Sequence, residues 1–130
     1  MIDDDLLAAK RVLDTGYTCV LCYKGMVFTS KKEGILPLVE FLDSKCDFKM
    51  FSICKKEINE CSAILLVKFG INNISTYSLT KKAKNIFDNY GILCKYNELV
   101  DETSDKFDNL LTDITNIDLA IQKINDEIKK

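Results

Sequence analysis

Between residues 48 and 96 the chain repeats one pattern: a short β-branched or aromatic run, a helical run, and then a glycine. Phe48 to Cys54 reads as a strand, and Asn59 as the N-cap of an apolar helix from Cys61 to Phe69 closed by Gly70. Ile71 to Tyr77 reads as the next strand, and Ser78 or Thr80 as the cap of a helix running to Tyr90 before Gly91. Ile92 to Tyr96 closes the series as a strand. Strands separated by helices signal a sheet with helices packed on its faces, which makes the chain α/β. The helix Cys61 to Phe69 is apolar almost all round, so it belongs between the sheet and another helix.

The first half supplies the remaining elements. Leu6, Leu7, Ala9, Val12 and Leu13 form an amphipathic helix that stops at Asp14-Thr15-Gly16, with Gly16 suited to the position after the C-cap. Tyr17 to Tyr23 and Met26 to Thr29 form a hairpin across the two-residue turn Lys24-Gly25. Ser30-Lys31-Lys32-Glu33-Gly34 then leads into a helix carrying Ile35, Leu38, Val39 and Leu42 on one face, with Pro37 tolerated in its first turn. The predicted order is α-β-β-α-β-α-β-α-β followed by a helical tail.

A chain of 130 residues with 47% hydrophobic and 29% charged residues fits one globular domain spanning 1–130, its tail at 101–130 packing on the rest. The formal net charge of -2, with both signs interspersed, offers no basic stripe for nucleic acid. Met1-Ile2-Asp3-Asp4-Asp5 has acids where a signal peptide needs positive charge, and no apolar run approaches the ~20 residues of a membrane span. A cytoplasmic protein without a membrane partner is expected.

Six cysteines raise the question of a disulfide or metal framework. Cys19, Cys22, Cys46, Cys54, Cys61 and Cys94 lie mostly within apolar runs, where a thiol behaves as a small hydrophobe. Cys19-Val20-Leu21-Cys22 spells C-x-x-C, yet it sits in a predicted strand, where residues three apart point to opposite faces. Core packing is the expected role. The chain also contains no histidine, which removes Ser-His-Asp, Cys-His and histidine-ligated metal chemistry. No G-x-G-x-x-G, Walker-type loop or nucleophile elbow is present, so no cofactor is expected.

The runs Thr29 to Leu38 and Ala63 to Ile71, and Tyr90-Gly91-Ile92 followed by Tyr96-Asn97-Glu98-Leu99-Val100, resemble the small uncharacterised bacterial proteins of the DUF1893 family. The likeness covers about residues 5 to 100 and rests on apolar pattern and turn residues rather than a catalytic motif. It implies a cytidine deaminase-like fold: a three-layer α-β-α sandwich with a mixed five-stranded sheet. It implies no established activity.

Zinc deaminases place a His or Cys with a nearby Glu at the start of one helix, and P-C-x-x-C at the start of the next. The corresponding segments here are Ser30-Lys31-Lys32-Glu33-Gly34-Ile35 and Glu57-Ile58-Asn59-Glu60-Cys61-Ser62. One cysteine stands where two thiolates are required, so the scaffold is expected without its metal. The chain also departs from family pattern. Where relatives carry Asn-Arg and Cys-Pro-Met-Glu after the last strand, it has Asp101 to Asp108, and where a Gly-Lys opens the buried helix it has Asn59-Glu60.

The candidate pocket is therefore Ser30, Glu33, Asn59, Glu60, Cys61 and Ser62, gathered at two helix N-termini. Two function classes remain open. One is a non-catalytic binding or interaction module on a deaminase-like scaffold; the other is a metal-independent enzyme or small-metabolite binder using Glu33, Asn59, Glu60 and Cys61. Glu33, Glu57 and Glu60 form either a carboxylate cluster or first-turn acids complementing helix dipoles. Lys31-Lys32 beside Gly34 forms either an anion site or a solvated turn.

The tail adds a stripe. Phe107, Leu110, Ile114, Ile117, Ile121, Ile124 and Ile128 recur at steps of three and four, the spacing of a coiled-coil seam, although Thr115-Asn116 would cap a new helix at Ile117. Packing on the parent domain is the favoured reading, and a homodimer through Ile117, Ile121 and Ile124 is the alternative.

Overall fold

In the computed structural model, which describes residues 4–44, 46–111 and 116–130, the elements follow the predicted order. They are α1 (Asp4–Leu13), β1 (Cys19–Tyr23), β2 (Met26–Ser30), α2 (Leu36–Asp43), β3 (Ser52–Ile58), α3 (Glu60–Phe69), β4 (Asn73–Thr80), α4 (Lys81–Asn89), β5 (Cys94–Val100) and α5 (Ile117–Ile128). The five strands form one mixed sheet in the order β2-β1-β3-β4-β5. β1 is antiparallel to both β2 and β3, while β3, β4 and β5 run parallel.

Local chemistry sets the turns. Lys24 and Gly25 both take positive φ, 46° and 83°, as a two-residue turn matched to strand twist requires, and this pairs Tyr23 with Met26. Asn59 caps α3 by accepting the Ser62 N–H at 2.9 Å, and Gly70 closes it in the left-handed conformation. Thr80 caps α4 through the Ala83 N–H, and Asn116 caps α5 through the Leu119 N–H.

The sheet is covered on both faces. On one, Ala9 and Leu13 of α1 pack against Val20, Cys22 and Cys54. On the other, Cys19, Leu21, Ile53, Ile58 and Ile74 meet the buried helix α3, which α2, α4 and α5 surround. Cys19 and Cys22 thus serve opposite cores, as the strand period requires. All six cysteines are free, and five are buried; Cys46 is exposed. Burial pushes the thiols of Cys19 and Cys54 up to about 11 and that of Cys94 up to about 12.

Several boundaries differ from the sequence reading. The strand expected at Phe48 to Cys54 lies at Ser52–Ile58, because Phe48 to Phe51 folds into a turn whose rings pack edge-on or tilted against Phe28, Phe41 and Phe69. β4 and β5 are likewise shifted toward their C-termini, since the parallel register pairs Ser52 with Asn73 and Ile74 with Cys94. β1 starts at Cys19 rather than Tyr17, and Gly16 sits three residues past the end of α1. In the tail, 101–111 is a chain of turns, so Phe107 and Leu110 do not join a helical stripe. Met1, Ile2, Asp3, Ile114 and Thr115 lie outside the described residues. Ile121 and Ile124 are buried in the main core, with Ile117 and Ile128 half-buried against it, and Lys68 pairs with Asp118 at 3.2 Å. Among the described residues no helix is long and apolar enough to cross a membrane.

Candidate functional site

The first turn of α3 brings Asn59, Glu60, Cys61 and Ser62 together, each no more than 2% exposed. What buries them is the chain's own segment 103–109. The Asn59 side-chain amide donates to Asp105 Oδ2 at 3.1 Å and to Asp108 Oδ1 at 2.9 Å, while its oxygen performs the helix cap. Glu60 Oε1 accepts the Asn109 N–H at 2.8 Å, and the Cys61 thiol points to the Phe107 carbonyl at 3.6 Å. The segment is braced internally: Thr103 donates its N–H and hydroxyl to Asp108, and Asp105 accepts the Phe107 N–H.

Burial sets the protonation chemistry here. It holds the Glu60 carboxyl above the usual carboxylate range, partly offset by the Asn109 N–H. It also pushes the Cys61 thiol far up, with the charges of Glu60, Asp105 and Asp108 adding to the effect. A thiol kept neutral is a poor nucleophile. Among the described residues no three cysteine or acidic side chains converge on a point that could hold a metal ion. The residues at the α3 start therefore do not fit a deaminase zinc, which takes a His or Cys and two further thiolates.

The other half of the predicted pocket is placed differently. Ser30 ends β2, six residues before α2 begins, and its hydroxyl accepts the Lys32 N–H at 3.1 Å. Glu33 lies exposed in the loop before Gly34. Lys32 is paired with Glu40, and the Lys31 ammonium lies 5.4 Å from the centroid of the Tyr17 ring, so this pair of lysines faces solvent rather than an anion pocket. Glu33 and Glu57 do share a cavity, but Glu60 is turned away from it toward Asn109.

That cavity, about 80 Å³ in volume, is bounded by Thr18, Glu33, Gly34, Lys55, Glu57 and Ser104. Glu33, Gly34 and Ser104 also line a neighbouring, wider groove of about 390 Å³ walled by Leu36, Asp105 and Phe107. Lys55 is 2% exposed and donates from Nζ to the Gly34 carbonyl at 2.7 Å. Glu57 Oε2 accepts both the N–H and the hydroxyl of Ser104, at 3.2 and 2.8 Å. Gly34 takes φ +59°, and a Cβ there would lie 2.5 Å from the Asp105 carboxylate. The left-handed φ favours glycine at this position, and any side chain there would have to displace the Asp105 carboxylate.

Lys55 is the residue that sequence reasoning missed. With the strand ended at Cys54, it fell outside any element. The available signal was period two: Lys55 follows Ile53 by two residues and shares its inward face.

The family model described as Domain of unknown function (DUF1893) matches residues 7–116. No curated protein matches the chain. Among solved structures, it is similar to a DUF1893 family protein from Thermotoga maritima, with a TM-score of 0.87 and 18% sequence identity over 98% of this chain and 92% of that one. At that identity the likeness establishes the shared fold, and the family match carries the membership. Spanning 7–116 of 130 residues, that match shows that the chain belongs to the DUF1893 family, a family of unknown function.

Proposed function

We propose that the protein is a non-catalytic binding module on a cytidine deaminase-like scaffold. The observation that carries this reading is the closed first turn of α3. Where zinc deaminases present metal ligands to substrate, Asn59, Glu60 and Cys61 are each engaged by segment 103–109. A catalytic carboxylate or thiolate there would need both access and a charged form, and burial opposes both. The lack of any histidine in the chain agrees with that reading.

The test is elemental analysis of protein produced in zinc-supplemented medium. The expected result is a content far below one zinc per chain, unchanged in Cys61→Ala. One zinc per chain, lost in Cys61→Ala, would show that the first turn opens to bind metal and would overturn the reading.

A further inference from the structure

We propose that the cleft above Lys55 binds a small zwitterionic amino acid with an apolar side chain, its carboxylate on the Lys55 ammonium and its amine toward Glu33 and Glu57. This rests on the protein being a binding module, though not on the state of the α3 first turn.

Lysine is almost never fully buried unless its charge is paired, because an uncompensated ammonium in the interior is costly. Lys55 is 98% buried, yet among the described residues it forms no ion pair, and its one hydrogen bond goes to the Gly34 carbonyl. An ammonium has three donors, so two remain for whatever fills the adjoining cavity.

The position in the fold agrees. Lys55 is the central residue of β3, opposite Cys19 at the start of β1. Thr18, next to Cys19, and Lys56 and Glu57, next along β3, line the same cavity, which therefore sits where the start of β1 meets the second half of β3.

Charge selects the ligand class. A simple anion at Lys55 would face the carboxylates of Glu33 and Glu57, and a simple cation would face the ammonium. Lys56 adds a positive charge to the cavity lining, and Asp105 and Lys106 add one of each sign to the groove. A molecule bearing a carboxylate and an amine on one carbon satisfies both signs. Glu57 is held in place by Ser104, whereas the exposed Glu33 carboxylate forms no hydrogen bond or ion pair among the described residues and is available to an amine. The inner cavity of about 80 Å³ accommodates the charged head, and Leu36 and Phe107 in the outer groove offer apolar surface to a side chain.

The experiment follows backbone amide shifts of the full ¹⁵N-labelled chain titrated with L-leucine and L-phenylalanine, and in parallel with N-acetyl-L-leucine and isoamylamine. Saturable shifts centred on Gly34, Lys55 and Ser104 are expected with the amino acids, with binding at least about tenfold weaker for each analogue lacking one charge. Lys55→Met should abolish the shifts, and Glu33→Gln, at an exposed position that does not challenge folding, should weaken binding about tenfold. No saturable shift at millimolar amino acid, equal binding of N-acetyl-L-leucine, or undiminished binding by Glu33→Gln would each overturn the proposal. Zinc at Cys61 would overturn the non-catalytic reading while leaving leucine binding intact, so the two failures are distinguishable.

Discussion

Glu60 accepts one backbone N–H from Asn109 and is otherwise enclosed, so its carboxyl titrates above the ordinary glutamate value because burial penalises the charge. A folded-state pKa above the unfolded one means that the native protein binds the proton more tightly. The resulting stabilisation is complete below the unfolded pKa of about 4.3, and is lost as pH rises through the folded value. Glu60→Gln keeps an oxygen for the Asn109 N–H but removes the charge. Its stability relative to the parent should therefore improve as pH rises from below 4 toward neutrality, as read by urea unfolding across that range. A difference that stays constant with pH would refute this account. Some of the site was legible at this scale. Asn59 was readable as a cap, because capping depends on residues within one turn. Its second role, donating to Asp105 and Asp108, depends on residues more than forty positions away and has no local signature.

Helices were more legible than strand ends. A helix announces its limits with caps and glycines, as α3 does with Asn59 and Gly70, whereas strand limits follow from what the neighbouring strand offers to pair. The polar stretch Lys55-Lys56-Glu57 concealed the second half of β3, although it is paired there with β1 and β4. The isoleucine stripe of α5 belongs to this scale too. Ile124 is fully buried in the core that α3 shares, so Ile124→Ala should cost about 2–5 kcal/mol in unfolding free energy, with a midpoint independent of protein concentration. A loss below about 1 kcal/mol, or a midpoint that rises with concentration, would instead assign the stripe to contacts between chains.

Across the whole molecule the two faces of the sheet are unequal. Among the described residues the α1 face has a core of five buried residues, Ala9, Leu13, Val20, Cys22 and Cys54, while the opposite face holds the main core around α3. Local opening free energy falls where few buried apolar contacts hold an element. Hydrogen exchange should accordingly show the amides of α1 exchanging through an opening of lower free energy than those of α3, and equal protection in the two helices would contradict this. The α/β class, the order of the elements, the burial of α3 and the opposite facing of Cys19 and Cys22 were all legible in the residues. Each follows from periodicity or capping, which act over a few residues. The closure of the α3 start by segment 103–109, the meeting of Gly34 with Asp105 and the burial of Lys55 against a carbonyl twenty-one residues away emerge only in the folded chain. Those contacts join parts of the chain that are distant in sequence, so no local pattern encodes them.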